Sequence, residues 1–208
     1  MADANAKIQF GKVFKTMKQN FAVIDTETTW SDKVMSIGIV IADGKTKDII
    51  DTKYYLLDPE YKSGGMYSGA LKMSGIKETI TDTRANVLAQ IDSWLKEHMV
   101  ERLLAYNASF DRNHLPELRA YTWCDIMRLA AYRQYNPKIP ANVPCFGTGK
   151  MKSGYGVQPI LRMLSGDYSY EETHNAYFDA MDELKIVQLL GHEIEVYDNA
   201  VIGGKKVV

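Results

Sequence analysis

Asp25 and Glu27 follow directly on a compact apolar run, residues 21–24, which is typical of a buried strand. Side chains two residues apart on a strand point to the same side of it, so these two carboxylates are expected side by side. Neighbouring carboxylates beside an apolar run repel one another and lose hydration, which is costly unless a cation neutralises them. The pair therefore indicates a cation site, although the short string taken alone fits a turn or helix-cap acid slightly better.

Two further acids and a histidine lie beside other apolar segments. Asp111 falls in the first turn of a helix predicted after the apolar segment 103–106, and Asp179 falls where the last predicted helix begins, close to His174. Each has an ordinary explanation, since acids are common in the first turn of helices and a histidine can cap one or lie on the surface.

Taken together, these residues suggest a different chemistry. Magnesium and manganese ions prefer several carboxylate ligands, and two such ions about 4 Å apart can stabilise the attacking and leaving oxygens of phosphodiester hydrolysis. An imidazole nearby can take a proton from water at neutral pH. Four carboxylates from three separated segments could meet at one end of a sheet and form such a site.

The elements that must position these residues alternate between strand and helix patterns. Apolar runs and period-two alternation predict strands over residues 21–24, 34–41, 48–57, 103–106 and 121–124. Helical spacing predicts helices over residues 83–99, from about 109, and over 126–135, 157–164 and 175–190, with a short helix at 13–17. The turn signal at 43–45 pairs the second and third strands as a hairpin, and Pro116 interrupts a helix or opens its next turn. This order predicts an α/β domain with a mixed five-stranded sheet flanked by helices, followed from residue 194 by a hairpin or tail.

Three motifs carry the candidate residues. They read Asp-x-Glu-Thr-Thr from Asp25, Asn-x-x-Phe-Asp from Asn107, and His-Asn-Ala-x-x-Asp-Ala from His174. In order and spacing they resemble the DEDD (DnaQ-like) exonucleases, in the DEDDh subgroup that includes the polymerase proofreading exonucleases. The resemblance runs from about residue 21 to 190 and implies an RNase H-like fold, with three antiparallel strands and then parallel strands.

The resemblance also implies an activity and a role for each of the five residues. The activity is that of a metal-dependent 3′–5′ exonuclease that hydrolyses phosphodiester bonds at 3′ ends of DNA or RNA and releases nucleoside monophosphates. Its cofactors would be two divalent ions, magnesium or manganese, with Asp25 bridging both. Glu27 and Asp179 would bind the ion that activates water, and Asp111 would support the site through water or the second ion. His174 would be the general base.

Substrate-binding residues are expected in the same motifs. The backbone around Thr26 and the side chain of Phe110 would border the terminal nucleotide, with Thr28 and Asn107 beside them. Trp30 stands where the family commonly has glycine, and it either offers a stacking surface for a base or packs over the edge of the sheet.

A basic segment is the second candidate for binding nucleic acid. Residues 126–166 contain no aspartate or glutamate and carry six positive charges in a chain whose net charge is −1, with aromatic residues interleaved. Lysines with aromatic neighbours suit a single strand, because charge binds phosphates and flat rings stack on bases. We expect Lys150 and Lys152, in the long loop 136–156, to guide the strand; the alternative is a surface loop with incidental charge.

The length and composition fit one domain over residues 1–208. The resemblance implies that this is an exonuclease domain with a core of about 21–190, between a short N-terminal segment and a C-terminal tail or hairpin. Cys124 and Cys145 are expected as reduced thiols in a cytoplasmic protein. No secretory signal or membrane span is expected, since the longest apolar-rich run, 34–42, is too short.

The expected partners are single-stranded or frayed 3′ ends of DNA or RNA, and the sequence does not identify a polymerase or other protein partner. The alternative function is that of a catalytically silent nucleic-acid-binding or scaffold domain on the same fold, which need not keep all five residues.

Overall fold

Six strands form one mixed sheet in the computed structural model, which describes residues 20–204. The strands are β1 (Asn20–Thr28), β2 (Val34–Ala42), β3 (Ile49–Asp58), β4 (Thr79–Thr83), β5 (Val100–Ala105) and β6 (Thr122–Asp125). They lie in the order β4-β3-β2-β1-β5-β6. Strands β1, β2 and β3 are antiparallel neighbours, whereas β4 runs parallel to β3, β5 to β1 and β6 to β5. The predicted α/β class and mixed sheet are confirmed.

Strand β4 was not predicted from the sequence. It contains one apolar residue, Ile80, and its exposed and half-buried positions alternate because it is an edge strand. Such a strand lacks the apolar run or alternation that identifies a buried one. The sheet therefore has six strands rather than the expected five.

Within residues 20–204, five α-helices flank the sheet. They are α1 (Arg84–Glu97), α2 (Ser109–His114), α3 (Met127–Ala130), α4 (Val157–Ser165) and α5 (Ala176–Leu190). Short 3₁₀ helices lie at Glu60–Lys62, Ser68–Ala70, Pro116–Leu118 and Ile194–Ala200. Among residues 20–204, no helix is long and apolar enough to cross a membrane.

Two segments differ from expectation. The helix predicted over 126–135 is reduced to the four residues of α3, because the chain then turns and the Ala131 carbonyl accepts the amide N–H of Met151 at 2.9 Å. The predicted C-terminal hairpin or tail is a 3₁₀ helix followed by a single bridge between Val201 and Cys124. The helix predicted at 13–17 lies outside the described residues.

The sheet is covered on both faces, and β1 supplies side chains to each core. Phe21 and Val23 pack in the core beneath α4 and α5, whereas Ile24 packs in the opposite core beneath α1. Because side chains alternate along a strand, Asp25 and Glu27 continue the row that faces α5. The alternation of β1 therefore directs both carboxylates toward the helix that carries Asp179.

Candidate active site

Helix α5 brings Asp179 to the two carboxylates of β1. Asn175 caps the helix, since its Oδ1 accepts the N–H of Tyr177 at 3.0 Å, and Asp179 follows in the first turn. The first turn packs closely on β2 at Gly38, which has no side chain to hold it away. Asp25, Glu27 and Asp179 each offer a carboxylate oxygen, and these oxygens lie within 4.8 Å of one another.

Asp111 joins this cluster from a third segment. It is buried in α2, and its Oδ1 accepts a hydrogen bond from Thr26 Oγ1 at 2.8 Å. Burial raises the pKa of Asp111 to about 7, and donation from Thr26 opposes part of that rise. The residue between Asp25 and Glu27 thus ties the second motif to the first.

The electrostatics of the cluster favour a cation. Burial, together with repulsion from Asp111, Asp179 and Glu27, raises the pKa of Asp25 well above its usual range. Burial and Asp179 raise the pKa of Glu27 to about 8, and burial and Glu172 raise the pKa of Asp179 to about 8. Carboxylates placed this way are held as anions more readily when a divalent ion neutralises them.

An unsatisfied oxygen points to the same requirement. Asp179 Oδ1 is buried and has no hydrogen-bond partner among the described residues. Such a group is normally satisfied by a donor or a metal ion. The set of hard oxygen donors in this cluster fits magnesium or manganese.

His174 lies at the border of the cluster. Its ring nitrogen comes within 4.8 Å of carboxylate oxygens of Glu172 and Asp179. Its backbone has a φ of 53°, and its ring stacks on that of Tyr67. Glu172 and Tyr67 were not identified from the sequence, and only the closeness of Glu172 to the third motif could have pointed to it.

Two further buried acids, Glu183 and Asp125, support the turn that leads from β5 into α2. Glu183 Oε2 accepts the N–H of Tyr106, and Asp125 Oδ1 accepts the N–H of Asn107, both at 3.0 Å. These are consecutive amides, and Asn107 has a φ of 60°, a left-handed conformation that asparagine adopts more readily than most other residues with a side chain. The two acids therefore fix the backbone from which Asp111 is presented.

Glu183 also interacts electrostatically with the acids of the cluster. Burial, and then repulsion from Asp25 and Asp111, raises its pKa well above the usual range. Glu183 was not identified as a site residue from the sequence. Its position four residues after Asp179, on the same side of the helix, was the signal that could have identified it.

The expected nucleotide-binding residues differ in their exposure. Thr28 is half-buried and Asn107 is exposed. Phe110 is 41% exposed, and the centre of its ring lies 4.3 Å from the centre of the His114 ring. Trp30 is 73% exposed on the loop after β1, so the alternative that it packs over the sheet edge is wrong.

Contacts connect Lys150 to the turn that precedes α2. Its Nζ lies 4.4 Å from the centre of the Tyr155 ring, and the Tyr155 carbonyl accepts a hydrogen bond from the Tyr106 hydroxyl. Lys152 lies further along the loop, exposed, with Nζ 5.6 Å from the centre of the Phe146 ring. The loop is ordered by single bridges from Tyr132 to Lys150 and from Cys145 to Met151. The Cys124 and Cys145 thiols are both free.

Comparisons with known proteins match the chain by structure and not by sequence. No protein-family model and no curated protein matches the chain. The structure of a full-length 3′-exonuclease is similar with a TM-score of 0.59 and 16% identity over 93% of each chain. The nuclease domain of 3′hExo, a DEDDh family member bound to rAMP, gives a TM-score of 0.57 and 16% identity over 91% of this chain and 99% of that one. The protein has the fold of the DEDDh exonucleases.

A further match, the complex of E. coli exonuclease I with single-stranded DNA in its zinc-bound form, gives a TM-score of 0.59 and 14% identity. It covers 88% of this chain and 43% of the longer exonuclease I chain. The RNase H-like fold expected from the three motifs is thereby confirmed. At such identities the similarity establishes the fold, whereas the chemistry depends on the residues of the site.

Proposed function

We propose that the protein is a metal-dependent 3′–5′ exonuclease that acts on single-stranded or frayed 3′ ends of DNA or RNA and releases nucleoside monophosphates. The observation that carries the proposal is the convergence of Asp25, Glu27 and Asp179, with oxygens within 4.8 Å, beside His174. The shared fold with a 3′-exonuclease and with a complex of exonuclease I and single-stranded DNA supports it. The exonuclease core in this proposal spans about residues 21–190.

The carboxylates would hold two divalent ions, magnesium or manganese. Asp25 would contact both ions, Glu27 and Asp179 one of them, and Asp111 would complete the site through water or the second ion. The ions would neutralise the acids and stabilise the attacking and leaving oxygens of the phosphodiester.

The remaining steps belong to side chains of the protein itself. His174 accepts the proton of the attacking water, a role that suits an imidazole at neutral pH. Thr26 holds Asp111 in place, and its backbone, with Thr28, Asn107 and the ring of Phe110, borders the terminal nucleotide. The exposed face of Trp30 suits stacking on a base. Every base has a flat face, so this contact would not depend on the sequence of the strand.

A cleavage assay tests the proposal. Single-stranded DNA and RNA oligomers of the same sequence, labelled at the 5′ end, are incubated with the protein and magnesium, manganese or a chelator. We expect a ladder that shortens from the 3′ end with either ion, and its loss with chelator and in Asp25→Asn. The matched control is Asp48→Asn, which removes an exposed carboxylate in the turn between β2 and β3.

The two polymers distinguish the substrate class, because the one shortened faster is the preferred substrate. Absence of cleavage of both polymers with every ion would overturn the proposal and leave a silent nucleic-acid-binding domain. Internal cuts in place of a ladder would overturn the exonuclease assignment.

A further inference from the structure

The segment between β3 and β4, residues 59–78, covers the start of helix α5 and is called here the cover segment. Asn175, the fully buried cap of α5, donates from Nδ2 to the carbonyl of Ala70 at 2.6 Å. The hydroxyl of Tyr54 on β3 donates to the next carbonyl, that of Leu71, at 3.1 Å. These bonds fix the cover segment against the helix end that carries the third motif.

His174 emerges where these two parts meet. Its φ of 53° lies in the left-handed region, which residues other than glycine adopt uncommonly. The next residue is the buried Asn175, whose amide group is bonded to both Ala70 and Tyr177. The backbone of His174 is therefore held by the cap that follows it.

The imidazole ring itself stacks on Tyr67 of the cover segment. The two ring centres lie 4.2 Å apart with planes inclined by 15°, a stacked arrangement. A flat neighbour at this distance restricts rotation of the imidazole and excludes water from one of its faces. The edge of the ring stays directed at the carboxylates of Glu172 and Asp179, within 4.8 Å.

We propose that Tyr67 is a positioning residue for His174, and that its ring holds the imidazole in the orientation needed to accept a proton from the attacking water. The inference rests on the proposed function, because it gives the base of that reaction its support. The ring face makes the contact. Phenylalanine at position 67 should therefore still orient His174, whereas an aliphatic residue should not.

Two substitutions separate the stack from the bulk of the side chain. Tyr67→Phe keeps the aromatic face, whereas Tyr67→Leu removes it and leaves an apolar side chain. Tyr61→Leu is the matched control, because Tyr61 is another partly buried aromatic of the cover segment and packs against the same buried cluster as Tyr67. Thermal unfolding of each variant shows whether it folds.

The first measurement is the NMR signal of the His174 ring protons in the metal-free protein. A stacked aromatic ring shifts these signals upfield, so we expect a downfield shift in Tyr67→Leu and wild-type positions in Tyr67→Phe and Tyr61→Leu. Unchanged signals in a folded Tyr67→Leu would overturn the inference.

The second measurement is kinetic. We expect kcat of Tyr67→Leu to fall by about tenfold or more, a part of the roughly 10²- to 10⁴-fold that a general base contributes, with KM unchanged and with recovery in Tyr67→Phe. An unchanged kcat would overturn the inference even if the NMR signal moved. If the wild-type protein cleaves no nucleic acid, the proposed function fails separately, and the NMR comparison still decides whether Tyr67 orients His174.

Discussion

A Cβ atom placed on Gly38 would lie 1.9 Å from the carbonyl oxygen of Ala176 and 2.5 Å from the amide nitrogen of Tyr177. Strand β2 and the first turn of helix α5 therefore touch backbone to backbone. This approach places Asp179 at the carboxylates of β1, since those side chains project from the neighbouring strand toward the same helix. A glycine on β2 is thus a condition for the acidic cluster.

Replacing Gly38 with alanine should damage both stability and the site. The methyl group cannot be accommodated without moving the helix backbone, so we expect a loss of at least the roughly 1–3 kcal/mol typical of overpacked cores, measured by urea unfolding. Displacement of α5 should also weaken binding of manganese, measured by calorimetry. The control is Gly147→Ala, because a Cβ there meets no atom within 4 Å. Equal stability of the two variants would contradict this account of the packing.

Glu183 should matter as a hydrogen-bond acceptor for the turn before α2. Glu183→Leu leaves the N–H of Tyr106 without its acceptor, and we expect a cost of about 1–3 kcal/mol by urea unfolding in chelator at neutral pH. Glu183→Gln retains an oxygen, and its neutral amide matches the protonated form that burial favours, so its stability should stay near that of the wild type. A leucine variant as stable as the glutamine variant would show that the turn does not depend on this hydrogen bond.

The two lysines of the long loop 136–156 should contribute to substrate binding through their charge. We expect Lys150→Glu with Lys152→Glu, made in the inactive Asp25→Asn background, to weaken binding of a single-stranded oligomer. The slope of log K against log salt should become shallower by about 0.7 for each phosphate that the protein no longer neutralises. Fluorescence anisotropy at several salt concentrations measures both effects.

The control for that experiment changes the same charge elsewhere. Lys45 and Lys185 are exposed residues outside the basic segment, and their double replacement by glutamate alters the net charge equally. If the two double variants bind the oligomer with the same reduced affinity and the same salt dependence, the loop has no specific role and its charge is incidental.

The sequence predicted the acidic cluster because local patterns specify its parts. The run before Asp25 identifies a strand, and strand alternation places Glu27 on the same side. The family resemblance then related these acids to Asp111 and Asp179, which no local pattern connects. The sequence alone could not show how close the segments come, because that depends on the packing at Gly38.

The residues that the sequence missed act through tertiary contacts. Tyr67 lies in a loop with no periodic pattern, and only the packing of the cover segment on α5 brings it to His174. In the sequence, Asp125 is an acid that follows a short predicted strand, which gives no sign of its role. In the structure it is buried and accepts the N–H of Asn107. The helix expected over 126–135 failed for the same reason, since the Ala131 carbonyl bonds to Met151 rather than continuing a helix.

The acidic cluster should make stability depend on pH in opposite ways with and without metal. Carboxyl groups of the unfolded chain titrate near pH 4, about 4 units below the pKa of about 8 that burial gives Glu27 and Asp179 in the folded state. Between these values the folded protein binds more protons than the unfolded chain, so stability falls as pH rises through the window. A divalent ion that binds the ionised cluster of the folded state should stabilise more as pH rises. Thermal unfolding between about pH 5 and 8 should therefore show a falling Tm in chelator and a metal-induced gain that grows with pH.

Asp179→Asn tests whether the cluster causes this behaviour. Removing one carboxyl group from the cluster should flatten the decline of Tm in chelator and reduce the gain from magnesium or manganese. Asp48→Asn, at an exposed position, should behave as the wild type does. A wild-type Tm in chelator that is constant over the window would contradict the raised pKa values of Glu27 and Asp179. A metal-induced gain that does not change with pH would contradict the assignment of these acids as metal ligands, because protons and cations would then not compete for them.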